Sequence, residues 1–184
     1  MRRLETRLEG PLLLAPTVHA DERGFFVETY RRSTYGELGV PDELVQQNHS
    51  RSRRGVVRGM HLQVGEGIGK LVRCARGAIL DVVVDVRRGS PSFGEWEAFE
   101  LTDENHHQVW CPVGFAHGFC VLSEVADVMY AQSGYYAPDL ERGIHYADPD
   151  VGIEWPDGLE LIPSERDARA PRLAEISGEL PFAY

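Results

Sequence analysis

Apolar residues along this chain fall into short runs separated by turns, the pattern of β-strands rather than of long helices. Seven such runs follow one another over residues 56–62, 71–75, 78–86, 96–101, 108–111, 118–122 and 126–132. Turn-forming clusters, such as residues 88–91 and 102–105, separate them at short spacing. This rhythm predicts an antiparallel sandwich or barrel.

The segment before residue 56 has a more mixed pattern. It predicts strands over 11–15 and 25–30, a short helix over 33–38, an extended stretch over 44–50 and a basic turn over 51–55. Ser33 is the expected cap of the helix. On the extended stretch, Gln46 and Asn48 alternate onto one face, where their amides can donate and accept hydrogen bonds.

Beyond residue 136 the chain is rich in loops and carries six of its eleven prolines. Ser164 and Asp167 have the Ser-x-x-Asp spacing of a helix cap, so a short helix is expected from Ser164 and another after Pro171. We predict one domain over 1–184, with a β-sandwich or barrel core at about 12–136 and a loop and short-helix appendage at 137–184.

Composition narrows the classes of function. With 184 residues and 42% hydrophobic content the chain can bury a normal core, and its net charge of −10 argues against binding nucleic acid or an anionic membrane non-specifically. No apolar run near the amino terminus is long enough for a signal or membrane segment, which predicts a cytoplasmic protein. The three cysteines lie in apolar runs without a CxxC pair, so we expect buried free thiols: Cys74, Cys111 and Cys120.

Candidate chemistry concentrates between residues 56 and 75. Two β-like runs joined by the glycine-rich turn 64–69 predict a hairpin that carries Arg58, His61 and Lys70. Of 19 basic residues only Lys70 is a lysine, which leaves 18 arginines. A compact ammonium at this one position indicates a point-charge site, because a planar guanidinium does not replace it.

A histidine base beside a lysine fits proton abstraction next to a ketone, where the cation stabilises the enolate oxygen. Inversion needs an acid on the opposite face, and Tyr130 is a candidate, with a buried core tyrosine as the alternative. Arg58 and His61 are three residues apart and would point to opposite faces of an ideal strand. A bulge at Gly59 would bring both inward.

A second motif, Pro-x-Gly-x-x-His over 112–117, resembles the second metal-binding motif of the cupin superfamily. Where a metal-binding cupin has His-x-His, this chain has His61 followed by Gln63. Two histidines without a carboxylate make a poor metal site, since three protein ligands are the usual minimum for catalytic zinc. We therefore expect no metal.

Seven segments together resemble the dTDP-4-dehydrorhamnose 3,5-epimerase family, in order from about Leu12 to about Pro171. They are residues 21–26, 46–50, 58–61, 69–74, 112–119, Tyr130 with 135–136, and 152–156. The resemblance implies a mainly β, cupin-type jelly-roll β-sandwich with short peripheral helices and a homodimer without metal or organic cofactor. It implies epimerisation of dTDP-4-dehydro-6-deoxy-D-glucose at carbons 3 and 5, giving dTDP-4-dehydro-L-rhamnose.

The resemblance also implies roles for particular residues. His61 is the expected base, paired with Asp167, while Tyr130 is the acid and Lys70 lies at the enolate oxygen. The expected substrate-binding residues are Arg23, Phe26, Glu28, Gln46, Asn48, Arg58, His117 and Tyr136. Arg23 and Glu28 are expected to come from the neighbouring subunit. The residues alone leave helix capping open as the role of Asp167.

The sequence leaves three other functions open. Relatives that epimerise only carbon 3 or only carbon 5, in antibiotic-sugar pathways, have much the same site residues. A metal-dependent cupin enzyme would use His61 and His117. A nucleotide-sugar binding module would keep the arginines without needing His61 opposite Tyr130.

Overall fold

The fold is known from a computed structural model, which describes residues 1–41 and 43–184. Its strands are β1 (Arg2–Leu4), β2 (Leu12–Ala15), β3 (Val18–Asp21), β4 (Gly24–Val27), β5 (Gln46–Arg53), β6 (Val57–Gln63), β7 (Lys70–Arg76), β8 (Ala78–Asp85), β9 (Trp96–Thr102), β10 (Gln108–Cys111), β11 (Phe115–Val121), β12 (Val125–Gln132) and β13 (Glu141–Gly143). The helices are short: α1 (Arg32–Glu37), α2 (Glu165–Ala168) and α3 (Leu173–Ile176), with 3₁₀ turns at Pro138–Leu140 and Ser177–Glu179.

Two antiparallel sheets face each other. One has the order β1-β2-β10-β7-β12-β5 and the other β13-β6-β11-β8-β9, while β3 and β4 form a separate two-stranded hairpin. From β5 to β12, consecutive strands cross from one sheet to the other except at the β8–β9 hairpin. This winding is a jelly-roll sandwich, as predicted.

The space between the sheets is filled by alternate side chains of both. Ile79 and Val83 of β8 pack there against Val72 of β7, together with Phe119 and Val128 from the neighbouring strands. Because successive residues of a strand point to opposite faces, the residues between these lie on the outer faces of the sheets. The core between the sheets therefore contains about every second residue of each apolar run.

The outer faces are also covered. Val82 and Val84 of β8 pack against the carboxyl-terminal segment through Leu173, Leu180 and Phe182. With both faces buried, β8 has a nearly continuous apolar sequence instead of an alternating one. On the other sheet, the α1 region covers Leu12, Leu14, Leu71 and Trp110 in the same way. The helices are therefore peripheral, as predicted.

The predicted hairpin between β6 and β7 is wrong. β6 pairs with β11 and β13, whereas β7 pairs with β10 and β12 in the opposite sheet. The glycine-rich turn therefore crosses between the sheets, and the Gly69 N–H donates to Ser133 Oγ at 2.9 Å. The crossing places His61 and Lys70 on opposite walls of the sandwich.

Several local boundaries also differ from the sequence prediction. Residues 51–53 belong to β5 because they pair with β12, where the Arg51 guanidinium contacts Asp127 at 2.7 and 2.8 Å. The α1 helix begins at Arg32, so Ser33 is not its cap. The predicted strand 25–30 is shorter, and the strand predicted at 118–122 begins at Phe115.

Other predictions are confirmed. Ser164 caps α2, accepting a hydrogen bond at 3.1 Å from the Asp167 backbone N–H, and α3 follows Pro171. The three cysteines are buried free thiols, and burial raises the pKa of the Cys111 thiol to about 12. Within 1–41 and 43–184, no helix is long and apolar enough to cross a membrane.

Candidate active site

A cavity of about 580 Å³ lies between the two sheets, a size typical of small-ligand sites. One wall comes from β5, β7 and β12, and the opposite wall from β6 and β11. Residues 162–164, 166 and 167 and Glu141 also line it. Both sheets and the carboxyl-terminal segment therefore contribute side chains to one pocket.

His61 of β6 is paired with the carboxylate of Asp167 in α2. The distance between His61 Nε2 and Asp167 Oδ1 is 2.7 Å. Burial raises the pKa of Asp167, but the His61 hydrogen bond and charge, with contacts from Ser164 and Gly59, outweigh it and lower the pKa overall. The carboxylate therefore stays ionised, fixes the imidazole and stabilises the imidazolium form. The helix is capped by Ser164, while the Asp167 carboxylate contacts His61, so both roles coexist.

A bulge at Gly59 turns Arg58 and His61 to the same side, as hypothesised. His61 pairs with His117 of β11, but Arg58 pairs with Phe119, so between these pairs two residues of β6 oppose one of β11. Gly59 has φ +128°, and a Cβ there would lie 2.5 Å from the Cα of Gly118. Only glycine fits this backbone approach without displacement.

Lys70 reaches His61 from the opposite sheet. Its Nζ donates to the backbone carbonyl of His61 at 3.3 Å. Burial lowers the pKa of Lys70, while Cys111, Glu141 and Asp81 act in the raising direction. A cation in such a desolvated position interacts strongly with a developing oxyanion, because the local dielectric is low.

Tyr130 lies on β12, across the sandwich from His61, and its cross-strand partner is Asn48 of β5. Burial raises the pKa of the Tyr130 phenol, against the lowering effect of Arg58 and of an Asn48 hydrogen bond. The phenol is therefore protonated at neutral pH, the form that a general acid requires. The side chain is partly buried and lines the cavity.

A second histidine–carboxylate pair lies deeper in the pocket. His117 Nε2 is 2.8 Å from Asp81 Oδ2, and Asp81 is fully buried. Sequence reasoning missed Asp81, although a carboxylate in the middle of the apolar run of β8 was the signal that a buried partner had to exist.

The rim of the pocket holds a second group that sequence reasoning missed. Glu141 Oε2 accepts from the Tyr136 hydroxyl at 2.7 Å and contacts Arg166 at 2.6 Å. Glu141 Oε1 is 3.9 Å from His61 Nδ1. No sequence signal marks Glu141 or Arg166, because strand β13 and helix α2 meet only in the folded chain.

The structure brings nine of the twelve predicted site residues to this cavity: Gln46, Asn48, Arg58, His61, Lys70, His117, Tyr130, Tyr136 and Asp167. The other three, Arg23, Phe26 and Glu28, do not line it. Arg23 contacts Asp21 on the β3–β4 hairpin, and Glu28 contacts Arg31. Their predicted roles remain predictions for the assembled protein.

His61 and His117 each contact a carboxylate through Nε2. Over 1–41 and 43–184, no group of three or more His, Cys, Asp or Glu side chains is arranged to hold a metal ion. The arrangement instead presents two acid–base groups on opposite walls, with a cation between the sheets.

This fold and site define a cupin-type acid–base isomerase. The family model for dTDP-4-dehydrorhamnose 3,5-epimerase matches residues 5–175, and the chain belongs to that family. It is 48% identical to the dTDP-4-dehydrorhamnose 3,5-epimerase of Salmonella typhimurium, over 92% of this chain and 94% of that protein. It is 44% identical to the dTDP-4-dehydrorhamnose 3-epimerase of Streptomyces niveus, over 98% of this chain and 89% of that protein.

A solved structure of a similar epimerase has the same fold. The Legionella pneumophila dTDP-6-deoxy-D-glucose-3,5-epimerase, in complex with dTDP-4-keto-L-rhamnose, superposes with a TM-score of 0.96. The two chains are 44% identical, and the match covers 100% of this chain and 98% of that one. The predicted cupin-type fold and epimerase family are thereby confirmed.

Proposed function

We propose that this protein epimerises dTDP-4-dehydro-6-deoxy-D-glucose at carbons 5 and 3, giving dTDP-4-dehydro-L-rhamnose. The observation that carries the proposal is the placement of the His61–Asp167 pair and Tyr130 on opposite sheets of one pocket. An epimerase needs a base on one face of the sugar and an acid on the other.

The residues have matching roles in the proposed reaction. His61 removes the proton from the carbon next to the 4-keto group, and the electron pair of that C–H bond forms an enolate. Lys70 stabilises the enolate oxygen, and Tyr130 delivers its phenolic proton to the opposite face of the carbon. We also propose that Arg58, whose Nε donates to Ser52 Oγ at 2.9 Å, binds the diphosphate as a fixed cation.

The second candidate is a mono-epimerase. The identity to the Streptomyces niveus 3-epimerase, 44%, is close to the 48% identity to the Salmonella typhimurium 3,5-epimerase. Both reactions use the same base, acid and cation, so the site residues do not separate them. Proton exchange at each carbon does.

The deciding experiment is incubation with dTDP-4-dehydro-6-deoxy-D-glucose in deuterated water, followed by proton NMR and mass. We expect loss of the signals at both carbon 3 and carbon 5, because each proton removed by His61 is replaced from solvent. Exchange at one carbon alone would support the mono-epimerase. No exchange, together with tight dTDP binding, would indicate a binding module, and activity lost on chelation would indicate a metal enzyme.

The active form is proposed to be a homodimer in which residues 1–184 act as one epimerase domain. The β3–β4 hairpin supports this, because Phe25 and Phe26 are 59% and 72% exposed and the hairpin stands apart from the two main sheets. Two exposed phenylalanines beside Arg23 suit the nucleotide of a neighbouring subunit.

Light scattering after size exclusion is expected to give twice the mass of the 20.6 kDa chain. Arg23→Ala is expected to raise KM for the sugar nucleotide with kcat nearly unchanged, since Arg23 does not line the cavity that contains His61 and Tyr130. A monomeric mass with full activity would contradict the dimer.

We also propose a cytoplasmic location. The free buried cysteines support it, because thiols stay reduced in the cytoplasm.

A further inference from the structure

Epimerisation at two carbons leaves the base with a proton that it must lose. After each proton transfer His61 is an imidazolium and Tyr130 has given up its proton, so a second removal by the same base requires His61 to be neutral again. Because the proton must not return to the carbon it came from, it has to leave towards solvent. This requirement rests on the proposed function.

The proton-accepting nitrogen of His61 can be assigned from the geometry. Nε2 is 2.7 Å from the Asp167 carboxylate, which leaves Nδ1 to take the proton from the sugar. Asp167 cannot carry this proton away, because it contacts the other nitrogen and only 6% of its side chain is exposed. The outlet must lie on the Nδ1 side.

Glu141 is on that side. β13 pairs with β6, so that Gly143 lies opposite His61 and Glu141 opposite Gln63. Glu141 is thus the diagonal neighbour of His61, within reach of a long side chain. Its Oε1 is 3.9 Å from His61 Nδ1, an ion-pair distance that a movement of about 1 Å converts to a hydrogen bond.

The Glu141 carboxylate is held in one orientation. Arg166 and the Tyr136 hydroxyl both contact Oε2, at 2.6 and 2.7 Å, which leaves Oε1 directed away from them. The Glu141 side chain is 14% exposed, and the Arg166 side chain beside it is 56% exposed. The carboxylate therefore lies between His61, whose side chain is 27% exposed, and the exposed guanidinium of Arg166 at the rim.

We propose that Glu141 is the outlet through which His61 loses its proton between the two epimerisations. The C–H proton moves to His61 Nδ1 and then to Glu141 Oε1, which becomes a carboxylic acid. Glu141 releases the proton to water and is a carboxylate again, while the Tyr130 phenolate regains a proton from solvent. No oxidant, reductant or further reactant is required.

Glu141→Gln tests the proposal, since it keeps the shape and the Tyr136 contact but cannot accept the proton. The measurement is a single turnover with enzyme in excess in deuterated water, quenched over time, with exchange at carbons 3 and 5 quantified by NMR. The first exchange is expected at a rate close to wild type. The ratio of singly to doubly exchanged sugar is expected to rise by about tenfold or more, because His61 must lose the first proton before it can remove the second.

The control is Glu165→Gln, the same change on an exposed side chain that contacts Arg169 and does not line the cavity. It is expected to give the wild-type ratio. Added imidazole buffer, an external proton acceptor, is expected to restore the ratio in Glu141→Gln without affecting wild type. A merely structural role of Glu141 would not respond to the buffer.

If Glu141→Gln does not fold, Glu141→Asp keeps the charge on a shorter side chain and is expected to give an intermediate ratio. A wild-type ratio in either folded variant, or a raised KM as the only change, would overturn the proposal and assign Glu141 to substrate binding.

The proposed function is tested separately by the wild-type protein in the same experiment. If wild type exchanges one carbon only, the double epimerisation is wrong. The outlet is then tested by a normal first turnover followed by slow later turnovers in Glu141→Gln. If wild type exchanges neither carbon, the proposed function fails, and the outlet fails with it whatever the variant does.

Discussion

Replacing His61 with alanine is expected to lower the rate of epimerisation by about 10²–10⁴-fold, the usual contribution of a positioned general base. The His61 imidazole lies between two carboxylates of the pocket, at 2.7 Å from Asp167 and 3.9 Å from Glu141. Removing it eliminates proton abstraction at both carbons but leaves the walls of the cavity in place. The measurement is kcat for the sugar nucleotide, with the Kd for dTDP determined by calorimetry.

The Kd for dTDP is expected to stay within about threefold of wild type in His61→Ala, since a loss of only the chemical step leaves binding contacts intact.

Asp167→Asn tests whether the carboxylate acts on His61 or only caps the helix. It keeps the backbone N–H that Ser164 caps but removes the charge beside the imidazole. We expect reduced kcat with little change in thermal stability; a large loss of stability with normal kcat would assign Asp167 to capping alone.

His49→Ala is the matched control. His49 is exposed on β5, contacts Asp127 at 3.3 Å and does not line the cavity. It is expected to have wild-type kcat. Unchanged turnover in His61→Ala would remove this residue from the role of base.

Features that depend on neighbouring residues could be predicted from the sequence. The apolar runs predicted the strands because strand length and turn chemistry are local properties. The bulge at Gly59 followed from the spacing of Arg58 and His61, since a strand can turn both inward only with an extra residue. The cap at Ser164 followed from its spacing to Asp167.

Features that depend on long-range pairing could not be predicted in this way. β6 and β7 have the sequence of a hairpin, yet each pairs with strands far along the chain, and the turn between them crosses the sandwich. The segment 51–55 has the composition of an exposed basic loop, but Asp127 on β12 holds Arg51 in a strand. In both cases the decisive partner lies far away along the chain.

The site shows the same division. His61, Lys70 and Tyr130 could be named because their chemistry is conspicuous in the sequence or matches the family motifs. Glu141 is one of many acidic residues, and only the pairing of β13 with β6 brings it close to His61. A charged residue of a common type can be assigned to a site only when its contacts are known. The residues at the rim of the pocket could therefore be identified only from the structure.

Lys70→Arg is expected to lower kcat/KM by about 10²–10³-fold, the scale of losing one oxyanion-stabilising donor. Lys70 Nζ contacts the His61 carbonyl at 3.3 Å, and the neighbouring Cys111 and Asp81 are fully or almost fully buried. This space suits a compact ammonium. A guanidinium is larger, spreads its charge and has five N–H donors to satisfy. The measurement is kcat/KM at neutral pH, with Arg76→Lys at the exposed end of the same strand as the control.

The pH profile separates charge from shape in this prediction. Because burial lowers the pKa of Lys70, its ammonium is lost at a lower pH than that of a free lysine, and wild-type kcat/KM is expected to fall on the alkaline side accordingly. The guanidinium introduced by Lys70→Arg keeps its charge throughout that range, so the residual activity of the variant should lack this decline. If both proteins had the same alkaline limb, the limb would belong to another group, and Lys70 would act through its fit to the pocket rather than through its charge.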